Sequence, residues 1–129
     1  MILDSTFLVD LERETGRNNP AGATRFLEKH AQTTLCITFT IAGEMAAGES
    51  LGKDRARWEN FLAPFRFLEY RSEVAWRFGS VYRDLRARGL LIGANDLWIA
   101  ATSLAYALPL VTRNYEEFSR VAGLEVQSY

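Results

Sequence analysis

Short apolar segments alternate with longer amphipathic segments along this chain, and that alternation constrains its fold more than any other feature. The short segments predict strands over residues 1–4, 34–38, 65–68, 108–112 and 124–126. The longer segments predict helices that begin at Ser5 or Thr6 and then cover residues 21–31, 40–47, 56–62, 72–89 and 95–107. Strands that alternate with helices in this way form parallel sheets with helices on both faces. We therefore expect a three-layer α/β/α fold with a short, mostly parallel central sheet of four to five strands.

The size and composition predict one globular domain over residues 1–129. An apolar fraction of 48% and a charged fraction of 24% are typical of folded domains. The opening residues lack the basic region of a signal peptide, and no apolar stretch is long enough to span a membrane without polar interruptions. Cys36 is the only cysteine and has apolar neighbours, so we expect a buried thiol, no internal disulfide and a cytoplasmic location.

Three acidic residues from distant parts of the chain follow or open apolar segments. Asp4 ends the first predicted strand, Glu44 comes shortly after the second, and Asp96 opens an apolar helix. The carboxyl ends of parallel strands meet at one edge of a sheet, where ligands bind. Carboxylates that meet there repel one another unless a cation compensates them. The pattern therefore favours a divalent metal site, although each acid has a local alternative, such as a turn at Asp4 or a helix N-terminus at Asp96.

Other residue types narrow the possible chemistry. The chain has one histidine, His30, and one cysteine, so a zinc site or a Cys/His nucleophile pair lacks its ligands. The net charge of −1 provides no overall attraction for nucleic acid. Trp58, Trp76 and Trp98 lie among apolar neighbours at helical spacing, so we expect all three in the core rather than as platforms for base stacking.

Four motifs in order make the chain resemble the PIN-domain ribonucleases and, among them, the toxin half of bacterial VapBC-type toxin–antitoxin pairs. The motifs are Ile2–Thr6, Glu44 followed by Gly48, Ala94–Ala101 and Leu110–Phe118. The resemblance covers essentially the whole chain as a single PIN domain. It implies a magnesium-dependent endoribonuclease, with manganese as the other candidate ion, in which metal-activated water cleaves RNA phosphodiester bonds to leave 5′-phosphate and 3′-hydroxyl ends.

By this resemblance, Asp4, Glu44 and Asp96 are catalytic, metal-binding acids. The family often has a fourth acid at or near the position of Asn114, so the sequence leaves Asn114, Glu116 and Glu117 open as the fourth ligand. The hydroxyls of Ser5, Thr6 and Thr112 are expected either to orient Asp4 or to serve as simple helix caps. Arg113, and less strongly Glu117, are the residues expected to contact substrate.

The resemblance also implies partners: an RNA substrate, a cognate VapB-type antitoxin and a second copy of the chain. The antitoxin is expected to lay a segment over the acidic pocket or along the first helices. Two alternatives remain at this point. One is a non-catalytic PIN-like module that binds RNA or protein, because Asn114 replaces the usual acid. The other is a phosphotransferase like the haloacid-dehalogenase enzymes with Asp4 as nucleophile, which lacks a second acid at Thr6 and a lysine after Lys53.

Overall fold

The computed structural model describes all of residues 1–129 and contains one sheet of five strands flanked by helices. The strands are β1 (Ile2–Leu3), β2 (Cys36–Ile37), β3 (Arg66–Phe67), β4 (Leu110–Val111) and β5 (Val126–Gln127). The helices are α1 (Ser5–Gly16), α2 (Gly22–Lys29), α3 (Phe39–Ala47), α4 (Arg55–Leu62), α5 (Ser72–Ala87), α6 (Ala94–Tyr106) and α7 (Tyr115–Phe118). The predicted α/β/α class is confirmed.

The strand order places β1 at the centre of the sheet. The order is β3-β2-β1-β4-β5, and every neighbouring pair is parallel. The chain therefore builds one half of the sheet outwards from β1 and then returns to build the other half from β4. The change of direction lies between β1 and β4, which pair Ile2 with Leu110 and Leu3 with Val111. Ligands of open parallel sheets bind at such a point, beyond the carboxyl ends of the strands.

The core lies on both sides of the sheet. The strand residues Ile2, Leu3 and Ile37 are fully buried, and Cys36 is nearly so, as its apolar neighbours predicted. Helix α1 contributes a buried face at helical spacing, and α6 is buried through its middle, from Leu97 to Ser103 apart from Trp98, and packs against α5 and α3. No helix of the chain is long and apolar enough to cross a bilayer.

Several element boundaries differ from the sequence prediction, and a local hydrogen bond explains one of them. Helix α3 begins at Phe39 because the hydroxyl of Thr38 accepts a bond from the Ile41 amide at 3.2 Å and caps the helix. Asp4, rather than Ser5 or Thr6, occupies the cap position of α1, yet its side chain makes no capping bond. The carboxylate is held elsewhere, in the site described below.

The prediction that all three tryptophans are buried is wrong for Trp76, whose exposed fraction is 68%. Trp58 does pack inwards and donates its indole N–H to the Ala42 carbonyl at 3.1 Å, and Trp98 stacks on Phe78. Helix α5 buries Val74 instead, and a residue two positions later on a helix does not share its face. The prediction for Trp76 was therefore wrong because it relied on the apolar neighbours in sequence and not on the helix face.

Candidate active site

Asp4 and Thr112 mark the site because they directly follow the two central strands. The Asp4 amide donates to the Val111 carbonyl at 2.9 Å, so the end of β1 is locked to the end of β4. Asp4 is 2% exposed and Thr112 is fully buried. A carboxylate this deeply buried requires hydrogen bonds or a nearby cation to remain charged.

Two threonine hydroxyls converge on one oxygen of Asp4. Thr112 Oγ1 donates to Asp4 Oδ2 at 2.7 Å, and Thr6 Oγ1 donates to the same atom at 2.9 Å. The other oxygen, Oδ1, has only a long contact of 3.5 Å from the Ser5 hydroxyl. Asp4 is therefore held by one oxygen and has the other available to a ligand.

The backbone of the loop after β4 sets the direction of these two hydroxyls. The Arg113 amide donates to Thr6 Oγ1 at 3.2 Å, and the Asn114 amide donates to Thr112 Oγ1 at 3.0 Å. Each hydroxyl thus accepts a hydrogen bond from a backbone N–H and donates its own hydrogen bond to Asp4. The structure places both threonines where the orienting role predicted for them requires, whereas Ser5 makes only the long contact.

Glu44 projects from the second turn of α3 towards the start of α6. Asn95 donates its side-chain amide to Glu44 Oε1 at 3.2 Å. The other oxygen, Oε2, is buried and has no hydrogen-bond partner. An unpartnered carboxylate oxygen is costly in a native structure, so it indicates a ligand position. The sequence analysis assigned no role to Asn95, although its position beside Asp96 was a signal that it could contact the site.

Asp96 lies in the first turn of α6, and its pKa is raised to about 6. Burial is the largest cause, followed by the negative charges of Asp4, Glu117 and Glu44. A helix N-terminus favours a carboxylate by only about 0.3–1 kcal/mol. The pKa of Asp96 is raised rather than lowered, so desolvation and like-charge repulsion outweigh the helix dipole here.

The charges that act on Asp96 also identify the fourth acid. Glu117, from the single turn of α7, is half-buried and close enough to Asp96 to raise its pKa. Asn114 and Glu116 are both exposed, and Asn114 contacts the site through its backbone N–H rather than through its side chain. Of the three candidates that the sequence left open, Glu117 is the one whose charge acts on Asp96.

The four acids form an electronegative cluster without a rigid, ready-made ligand set. No three acidic, histidine or cysteine side chains lie close enough to one another to count as a preformed metal cage. Mutual repulsion between uncompensated carboxylates accounts for this spacing. The free Asp4 Oδ1, the unpartnered Glu44 Oε2 and the destabilised charge of Asp96 all fit a hard divalent cation, which prefers oxygen ligands and keeps several waters.

A groove of about 520 Å³ adjoins the acid cluster at Glu44. It runs between α1, α3 and the loop before α4, and its charged lining includes Arg13, Arg17 and Arg57. Asp4 and Asp96 do not line it. The groove is therefore a neighbouring surface of the site and shares only Glu44 with it.

Comparison with known proteins identifies the family. The model of the PIN domain matches residues 1–124. Ribonuclease VapC2 of Haemophilus influenzae is 32% identical over 99 residues, which cover 74% of this chain and 75% of that protein. The chain belongs to the PIN-domain family of VapC ribonucleases. This membership confirms the predicted enzyme class, a nuclease that acts on phosphodiester bonds, and VapC-type PIN nucleases generally depend on a divalent metal.

Other VapC proteins extend the comparison. The tRNA(fMet)-specific endonuclease VapC of Salmonella typhimurium is 28% identical over 99 residues, 74% of this chain and 75% of that protein. The crystal structure of DNA-bound VapBC from Salmonella typhimurium has a TM-score of 0.85 at 24% identity, covering 98% of this chain and 96% of that one. The crystal structure of VapBC2 from Rickettsia felis bound to a promoter DNA fragment has a TM-score of 0.83 at 23% identity, covering 99% of this chain and 97% of that one. These structures show that the VapC fold extends over nearly the whole chain.

Proposed function

We propose that this VapC-family chain is a divalent-metal-dependent endoribonuclease and the toxin of a type II toxin–antitoxin pair. The observation that carries the proposal is the acid cluster: Asp4, Glu44 and Glu117 come from three other segments, and each is close enough to Asp96 for its charge to raise the pKa of that residue. None of the four acids is paired with a cationic side chain. Such a cluster destabilises the fold, so its presence indicates a function that requires it.

The four acids would hold Mg²⁺ or Mn²⁺, with Asp4 Oδ1 and Glu44 Oε2 as the free oxygens. The bound ion supplies the activation of water and the neutralisation of charge on the phosphate. The chain's own residues position it: Thr6 and Thr112 fix Asp4, and Asn95 fixes Glu44. Asn114 remains a weaker candidate ligand through its side-chain carbonyl oxygen, because that side chain is exposed.

RNA is the proposed substrate, and transfer RNA is the first to test because one VapC relative is named for tRNA(fMet) cleavage. A cognate VapB-type antitoxin is the proposed protein partner, since the similar solved structures are VapBC complexes. The groove beside Glu44 has the mixed charges of an interface and is the surface on which we place an antitoxin segment. We also propose a homodimer, a single PIN domain over residues 1–129 and a cytoplasmic location, which the buried free thiol of Cys36 suits.

A cleavage gel tests the proposal. Purified protein is incubated with bulk tRNA and with ribosomal RNA, in Mg²⁺ or Mn²⁺ and with or without EDTA. The wild-type protein should cut at least one RNA only when metal is present, and Asp4→Asn should remove cleavage while keeping the fold. Asp54→Asn is the matched control, because Asp54 only caps α4 and asparagine caps equally well.

Two results would contradict the proposal. Cleavage by Asp4→Asn at the wild-type rate would remove the role of that acid. Failure of the wild-type protein to bind Mg²⁺ or Mn²⁺ in calorimetry, together with no cleavage at any metal concentration, would favour the non-catalytic binding module. In cells, induction of the wild-type chain should arrest growth, and co-expression of the antitoxin should relieve the arrest.

A further inference from the structure

Arg113 directly follows Thr112, which supports Asp4, and its side chain is anchored at one end and free at the other. Its Nη1 donates to both carboxylate oxygens of Asp10, at 2.9 and 2.8 Å. Its other two guanidinium nitrogens, Nε and Nη2, make no hydrogen bond within the chain, and the side chain is 57% exposed. An arginine held in this way keeps donors with a planar geometry that suits a phosphate.

Asp10 is itself held in place by Tyr129. The Tyr129 hydroxyl donates to Asp10 Oδ2 at 2.7 Å, and its ring packs edge-on against the buried ring of Phe7 at 4.6 Å. Burial and the contact with Asp10 raise the pKa of the tyrosine hydroxyl, so it remains a donor at physiological pH. Asp10 is therefore tied to the core through Tyr129 on one side and to Arg113 on the other.

The same network reaches the catalytic acid. Arg113 donates its backbone N–H to Thr6, and Thr6 donates its hydroxyl to Asp4. The backbone of Arg113 is thus fixed relative to Asp4, while Asp10 fixes its side chain. A cation in a constant position next to the acids loses little rotamer freedom when it binds a phosphate.

We propose that Asp10 and Tyr129 are positioning residues that hold Arg113 beside the acid cluster, with Nε and Nη2 free to bind an RNA phosphate next to the cleaved bond. This inference rests on the proposed function and extends it, because the sequence analysis indicated Arg113 but neither Asp10 nor Tyr129. The competing role for Asp10 is neutralisation of Arg113, which would weaken RNA binding instead of supporting it.

Steady-state kinetics on tRNA or ribosomal RNA, whichever the wild-type protein cleaves, provide the test. Arg113→Gln should raise the apparent KM about 10-fold, Asp10→Asn about 3- to 10-fold and Tyr129→Phe about 2- to 5-fold, with kcat within about twofold of wild type, because the lost interaction is uniform substrate binding. Tyr129→Phe keeps the ring against Phe7, so it tests the hydroxyl without removing core packing. Rescue by Arg113→Lys should be partial, because lysine lacks the planar fork.

A double variant distinguishes positioning from independent effects. In the Arg113→Gln background, Asp10→Asn should raise KM by less than about twofold further, since its action passes through Arg113. The control is Glu73→Gln, which removes an exposed ion pair between Glu73 and Arg77. Arg77 lines a different cavity, together with residues at the carboxyl end of α6, so this pair is not part of the acid cluster. Its kinetics should match those of the wild type.

Three results would overturn the inference: an unchanged KM in Asp10→Asn, a full additive effect in the double variant, or a lower KM in Asp10→Asn, which would show neutralisation. A lack of cleavage by the wild-type protein is a different result and would overturn the proposed function instead. Thermal melting of every variant separates a loss of fold from a loss of substrate binding.

Discussion

Two carboxylates of this chain have opposite environments: one is stabilised by hydrogen bonds from the fold, and the other lies among acids that destabilise its charge. Glu14, near the end of α1, accepts bonds from the backbone amides of Ala21, Ala23 and Thr24 and from the Thr24 hydroxyl, at 2.6–3.0 Å. Desolvation opposes its charge, yet these bonds outweigh it and lower the pKa to about 2. Asp96, at the start of α6, is surrounded by other acids, and its pKa is raised to about 6.

Glu14 is a carboxylate with a structural role. It caps the amino end of α2 from a neighbouring helix, and every one of its contacts stabilises its charge. Asp96 has burial without compensation, together with three negative neighbours. The chain can satisfy a buried acid when stability alone is at stake, so the uncompensated acids indicate a site built for an external cation.

The largest expected effect is on catalysis. Asp96→Asn should lower metal-dependent RNA cleavage by about 100-fold or more, because a lost metal ligand removes several kcal/mol of charge stabilisation. Glu14→Gln, measured in the same assay on folded protein, should cut at nearly the wild-type rate. Equal losses in the two variants would break the distinction between the two environments.

A smaller effect is expected from the support of Asp4. Thr112→Val removes the hydroxyl that donates to Asp4 Oδ2 and leaves the Asn114 amide without its acceptor. We expect metal affinity to fall about 10- to 100-fold, which is typical when a group that orients a ligand is lost. Calorimetric titration with Mn²⁺ measures the change, and Thr112→Ser should keep most of the affinity.

Glu14 should affect stability. Glu14→Ala should lower the free energy of unfolding by about 1–2 kcal/mol, because the α2 amides lose their cap. For a chain of this size that corresponds to a melting temperature lower by roughly 3–10 °C. Since its folded pKa is depressed, the wild-type contribution is present above pH 4.5 and is lost as the pH falls towards 2. The difference between variant and wild type should shrink over that range.

The smallest expected effect is an increase in the free energy of unfolding, whereas Glu14→Ala should decrease it. Without metal at pH 7.5, Asp96→Asn should stabilise the fold by up to about 1 kcal/mol, a value reduced because the group is partly solvated. Its folded pKa is raised, so the cost of the charge develops as the pH rises from 3.8 to about 6 and is constant above that. Saturating Mg²⁺ should remove or reverse the advantage of the variant. A variant that melts below wild type in EDTA would show that the acids are not in conflict.

The sequence predicted the class of fold, and it singled out Asp4, Glu44 and Asp96 as site candidates, because both inferences depend on position along the chain. Alternating segments imply a parallel sheet, and Asp4 and Asp96 each begin or end a regular element. Glu117 was underestimated because an acid in a charged stretch has no periodic signal, and only the turn of α7 directs it towards Asp96. Asn95, Asp10 and Tyr129 act through contacts between distant segments, which a single sequence does not reveal.

The pairing of β1 with β4 has a consequence for synthesis of the protein. Thr112 lies 108 positions after the acid that it supports, so this hydrogen bond cannot form until the chain has been synthesised beyond β4. Incomplete translation products that stop before β4 lack both the partner strand and the threonine. If the proposed function is right, such fragments should not cleave RNA.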